Sequence, residues 1–149
     1  GELDGLSQPA LALSAPDVTG EVKGDGLLTM EKILTLKLNA DWVVLSACNT
    51  ASGEGAGAEA VSGLGRAFFY AGARALLVSN WPVDSEAAKL LMTDMFKRQQ
   101  IKQGANKAEY LQASMVNMID NLSSQDAKGK SRYAYAHPLF WAPFVVVGD

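Results

Sequence analysis

A single cysteine and a single histidine stand among the 149 residues of this chain. One thiol cannot close an internal disulfide, which suits a reducing compartment and makes the cytoplasm the expected location. No apolar run reaches the roughly 18 residues of a membrane-spanning helix, so no membrane association is expected. Neither sign of charge dominates: 13 basic residues face 16 acidic ones, for a net charge of −3, which argues against nucleic acid as the main partner. No Gly-Lys-Ser/Thr of a triphosphate-binding loop is present, and no grouping of His, Cys and carboxylates has metal-ligand spacing. Neither a metal nor another cofactor is therefore expected. Gly1-Glu2-Leu3-Asp4 brings no initiator methionine and no charged-then-apolar leader, as expected of a piece excised from a longer polypeptide. Internal repeats and low-complexity segments are also lacking.

Apolar residues make up 48% of the chain, enough for the core of one domain. Ala10 to Ser14 predicts a short strand, and Ala15 to Asp25 a loop rich in Pro, Gly and charge. Thr29 should cap a short helix through Leu36, with Glu31 in its first turn. The consecutive apolar residues from Asp41 to Ala47 suit a strand covered on both faces. From Glu59 to Ala71, Val61, Leu64, Phe68 and Ala71 recur at helical spacing, and Gly72 fits the stop. Ala75 to Ser79 is another buried strand, with a turn at Asn80-Trp81-Pro82. Two longer helices follow, Asp84 to about Gln100 and about Ala105 to Leu122, each with an apolar stripe. The polar stretch Ser123 to Arg132 reads as a mobile loop, and Phe140 to Val147 as a closing strand in which Pro143 marks an edge or a bulge.

Strands alternating with helices imply an α/β fold with a parallel, sandwiched sheet. Right-handed crossovers would then bring the chain ends after Ala47 and after Ser79 to one rim. Ligands of open α/β sheets bind beyond the carboxyl ends of the strands, and Cys48 stands there. It is either a nucleophile facing that crevice or a small buried hydrophobe, since free Cys is among the most buried residue types. Asp84 has two readings as well: the cap of the helix that follows, or a carboxylate that selects Arg or Lys in a substrate pocket. Gly53-x-Gly55-x-x-Ala58 formally matches a dinucleotide-binding loop, but Glu54 would set a carboxylate beside the phosphates. The better account is a glycine-rich loop that lets substrate approach the backbone. Arg66, in the helix after that loop, reads as a structural ion-pair partner rather than a substrate anchor.

Several segments in order resemble a known family. These are Leu45-Ser46-Ala47-Cys48-Asn49-Thr50, the Gly53-Glu54-Gly55 loop, Gly65 to Ala73, Ser79-Asn80-Trp81-Pro82-Val83-Asp84, and His137 to Asp149. Together they look like the CHAT domain, a caspase-like module often attached to tetratricopeptide repeats in bacteria. The resemblance runs from roughly Ala10 to Asp149 and implies the C-terminal portion of a single CHAT domain occupying residues 1–149. The implied fold is a caspase-like three-layer sandwich with a mostly parallel sheet, its N-terminal strands missing from this chain. The implied activity is that of a cysteine endopeptidase, a hydrolase acting on protein or peptide substrates. Cys48 matches the family's nucleophile, while Ser79, Asn80, Trp81 and Asp84 would line the substrate pocket. Tetratricopeptide repeats in the same parent polypeptide are the implied partner.

The family's histidine, in a His-Gly motif after an earlier strand, has no match here. A thiol near its ordinary pKa of about 8.5 is only a few per cent thiolate at neutral pH, so cleavage needs a base or a positive potential beside the sulfur. His137 belongs to the family's His-Pro-x-x-Trp segment and is expected to be a hydrogen-bonded residue at a strand entrance. The fragment alone is therefore expected to be inactive. The alternative is a non-catalytic caspase-like module that docks partner proteins.

Overall fold

Alternation along one five-residue strand organises the protein. The computed structural model describes residues 10–14, 25–45, 63–102, 104–125 and 128–148. The central strand of its main sheet is β4 (Ala75–Ser79), every residue of which is buried. On one side it pairs in parallel with β3 (Val43–Leu45), in the register Leu45 to Val78. On the other it pairs antiparallel with β7 (Phe144–Gly148), with Ser79 opposite Phe144.

Successive side chains of a strand point to opposite faces. Leu76 and Val78 enter one cluster with Leu45, Ile33, Leu64 and Phe68, beneath α1 (Met30–Leu34) and α2 (Gly63–Tyr70). Leu77 enters a second cluster with Ala87, Leu91, Met95, Leu111 and Met118, beneath α3 (Ser85–Ile101) and α4 (Lys107–Asn121). Helices thus cover both faces of a mixed sheet. Each fully buried aliphatic side chain of this kind stabilises the fold by roughly 1.5–3 kcal/mol.

Local chemistry sets the element ends. Thr29 accepts a hydrogen bond from the Lys32 amide and caps α1 as the sequence implies, although α1 stops at Leu34 rather than Leu36. Gly72 follows α2 with φ of 103°, and a Cβ there would lie 2.1 Å from the Leu38 carbonyl oxygen. Only glycine fits that crossing. Between α3 and α4, the Tyr110 hydroxyl donates to the Lys102 carbonyl and accepts from the Ala105 amide at 3.1 Å. At the amino end of β3, the Trp42 indole donates to Gln99 at 3.1 Å and meets Phe96 edge-on, tying that strand to α3.

Two expectations need correction, and one strand went unread. Ser123 to Arg132 is no simple loop: β5 (Ser123–Gln125) and β6 (Ser131–Ala134) form an antiparallel hairpin with a register shift. Tyr133 anchors it by stacking on Phe140, centroids 5.5 Å apart and 8° from parallel. The closing strand starts at Phe144, not Phe140, because Pro138–Phe140 forms a 3₁₀ turn and Pro143 has no amide to give a ladder. The first strand, β1 (Ala10–Ala12), pairs antiparallel with β2 (Leu27–Thr29), a strand too short to read in the sequence. Cys48, the 53–58 glycine loop and most of the Ala15 to Asp25 loop lie outside the described residues. Among the described residues no helix is long and apolar enough to cross a membrane.

Candidate functional site

Parallel pairing of β3 with β4 puts their carboxyl ends at one rim of the sheet. The antiparallel return of β7 brings its amino end, and the turn before it, to the same rim. A backbone bond closes this arrangement, the Asn80 amide donating to the Pro143 carbonyl at 3.0 Å.

Ser79, Asn80, Trp81 and Asp84 follow one another off β4, so the structure brings all four to that rim. Ser79 is fully buried as the last residue of the strand. Asn80 is exposed, and Trp81 keeps 37% of its surface open despite its size. Val83 turns inward to the cluster beneath α3. Asp84 caps α3, its Oδ1 accepting the Ala87 amide at 2.8 Å while its backbone takes an extended conformation. The capping half of its two readings is realised in the geometry. Cys48, three positions beyond Leu45 in sequence, lies outside the described residues.

On the face toward α3 and α4, Val44 pairs in register with the buried Leu77 and yet is 38% exposed. Apolar surface therefore remains open one position short of the end of β3.

His137 caps the 3₁₀ turn: its Nδ1 accepts the Leu139 amide at 3.1 Å. A neutral imidazole that accepts at Nδ1 carries its proton at Nε2, which leaves no lone pair free to take a proton from a thiol. Nearby, the Trp141 indole donates to the Ala136 carbonyl at 3.1 Å. Both contacts shape the turn that delivers Pro143 to Asn80. The sequence contained this link only as a His-Pro-x-x-Trp pattern before an apolar run.

Tyr135 joins the rim to the hairpin. It is 1% exposed and packs edge-on against Phe140 at 5.1 Å. Burial pushes its hydroxyl pKa up, a hydrogen bond with Ser124 opposes the shift, and electrostatic interaction with Tyr133 and with the carboxylates of Asp84 and Glu86 adds to it. The start of α3 is thus an acidic neighbourhood, relieved by Lys89 at 3.3 Å from Glu86. Among the described residues no group of His, Cys and carboxylates could hold a metal ion.

The chain belongs to the CHAT domain family, which it matches over residues 2–149. It is similar to Tetratricopeptide repeat protein 28 of Mus musculus, 31% identical over 129 residues, and to that of Homo sapiens, 30% identical over 129 residues. Each comparison covers 83% of this chain and 4% of the relative, so the chain spans a small part of those proteins' length. Both relatives are mammalian, whereas the resemblance had pointed to bacteria. No solved structure matches it.

Proposed function

We propose that this chain is the C-terminal portion of a caspase-like cysteine endopeptidase domain, with Cys48 as its nucleophile. The observation that carries this reading is the parallel pairing of β3 with β4. Cys48 follows Leu45 by three residues of chain, a span of at most about 11 Å, and this short separation supports a nucleophile acting near Ser79, Asn80 and Trp81. The layered arrangement, with helices on both faces of the sheet, agrees with a caspase-like sandwich whose remaining strands belong to the parent polypeptide.

The chemistry is acyl transfer. The Cys48 thiolate attacks a peptide carbonyl, backbone amides hold the developing oxyanion, and a histidine outside these residues takes the thiol proton and returns it to the leaving amine. An extended substrate lies along the end of β4, with its side chain before the cleaved bond among Ser79, Asn80, Trp81 and Asp84. The 149 residues alone do not turn over substrate; the cytoplasmic parent, with its tetratricopeptide repeats, does.

The test is cleavage of peptide reporters with Arg, Lys or Asp before the scissile bond by the full-length parent and its Cys48→Ala and His137→Ala variants. Cleavage abolished by Cys48→Ala and retained by His137→Ala is expected. Equal cleavage in the wild type and Cys48→Ala would exclude the nucleophile. One observation favours a second reading, a non-catalytic docking module: the chain's single histidine is committed to its turn. That reading predicts peptide binding without cleavage.

A further inference from the structure

His137 is exposed, yet its imidazole is engaged. It enters the 3₁₀ turn from an extended backbone, φ −68° and ψ 133°, and closes the turn twice. Its Nδ1 accepts the Leu139 amide and its carbonyl accepts the Phe140 amide, each at 3.1 Å. Pro138 takes the first position of the turn, where a missing amide costs nothing and a fixed φ fits. The Ala142 amide then donates to the Pro138 carbonyl at 2.8 Å, and the Phe144 amide to the Trp141 carbonyl at 3.3 Å. His137 to Phe144 is therefore one hydrogen-bonded piece.

That piece offers the sheet a carbonyl. Pro143 is fully buried and has no amide to donate, so its backbone meets β4 through oxygen, at the Asn80 amide. A peptide unit is planar, so holding the Asn80 N–H restrains the plane of the Ser79–Asn80 bond. The same restraint sets the direction in which Asn80 and Trp81 leave the strand.

We infer that His137 is a positioning residue for the rim. By closing the turn before β7 it places the Pro143 carbonyl, and through that bond it sets the wall of Asn80 and Trp81 that receives a bound peptide. The inference rests on the proposed substrate site at this rim, and it asks nothing of His137 in proton transfer. Affinity depends on His137; the rate of the chemical step does not. Asparagine at this position would serve as well, since its side-chain oxygen is among the preferred cap acceptors. Alanine would leave the Leu139 amide without its partner.

The test has two arms on the full-length parent, comparing wild type, His137→Ala and His137→Asn. The first is hydrogen–deuterium exchange resolved to single amides, and it needs no ligand. The Asn80 amide should exchange about fivefold faster in His137→Ala, the factor that one lost capping bond represents, and at the wild-type rate in His137→Asn. Thr29→Ala removes a comparable cap from α1 and should leave Asn80 exchange unchanged, because only the turn must open to expose that amide. The second arm uses the reporters with Arg, Lys or Asp before the scissile bond. His137→Ala should raise KM about fivefold with kcat unchanged, and His137→Asn should restore it. Anisotropy of the same peptides on a Cys48→Ala background should show the same fivefold loss of affinity. That measurement needs no cleavage, so a failed nucleophile and a failed positioning residue give different results. Asn80 exchange that is unmoved by His137→Ala, or equally fast in Thr29→Ala, would overturn the inference. So would a fall in kcat at constant KM, or peptide affinity that ignores His137→Ala.

Discussion

Asp84 offers the sharpest test of structure against charge, because two substitutions separate its roles. Its carboxylate satisfies the Ala87 amide, one of the donors that the first turn of a helix leaves without an intrahelical partner. The helix it caps runs 17 residues and buries Ala87, Leu91 and Met95. Asp84→Ala removes the acceptor and should cost about 1 kcal/mol, as N-cap deletions do. In a chain of this size that lowers the melting temperature by roughly 2–4 °C. Asp84→Asn keeps an oxygen in the same place and loses only the charge facing the helix dipole, a few tenths of a kcal/mol at an exposed position. Thermal unfolding followed by far-ultraviolet circular dichroism, checked by the urea midpoint, measures both. A large shift for alanine and a small one for asparagine is expected. Equal losses in the two variants, or no loss in either, would refute the capping argument. Were the proposed peptidase to cleave after Arg or Lys, loss of that preference in Asp84→Asn would add substrate selection to the cap.

Three other outcomes follow from the packing. Gly72→Ala should destabilise by at least about 1–3 kcal/mol, since the left-handed backbone and the nearby Leu38 carbonyl both oppose a Cβ; an unchanged urea midpoint contradicts this. Ser114→Ala should raise stability by about 1 kcal/mol, because the buried Oγ of Ser114 has no hydrogen-bond partner among the described residues and alanine is the better helix former. A lower midpoint would mean that the hydroxyl is satisfied. Tyr135 titrates later in the folded protein than in the unfolded chain, so its contribution to stability is intact below about pH 10 and falls as pH rises through the folded value. Tyr135→Phe should flatten part of that alkaline decline in chemical unfolding experiments, and an unaltered slope would count against the burial argument.

Much of the fold was legible where local signals and burial agree. The bounds of β4 match the apolar run Ala75 to Ser79, and Asp84 marks the start of α3 through its short polar side chain after a turn. The hairpin was not legible, because Ser, Gln, Gly and Lys have no strand preference of their own. Its pairing depends on Tyr133 reaching Phe140, a contact that pattern and propensity do not encode. Nor does an apolar run reveal direction: Phe144 to Val147 reads alike for a parallel or an antiparallel strand, and only the pairing of Ser79 with Phe144 decides. The candidate site divides the same way. Ser79 through Asp84 are contiguous and could be read directly, whereas the bond from Asn80 to Pro143 joins segments 63 residues apart and needs the sheet to exist.

The most direct measurement is mass spectrometry of the full-length parent after treatment with an electrophilic peptide carrying Arg or Asp beside the reactive group. The account predicts one adduct, on the tryptic fragment containing Cys48, blocked by excess competing peptide. A folded protein that forms no such adduct with either peptide would contradict it.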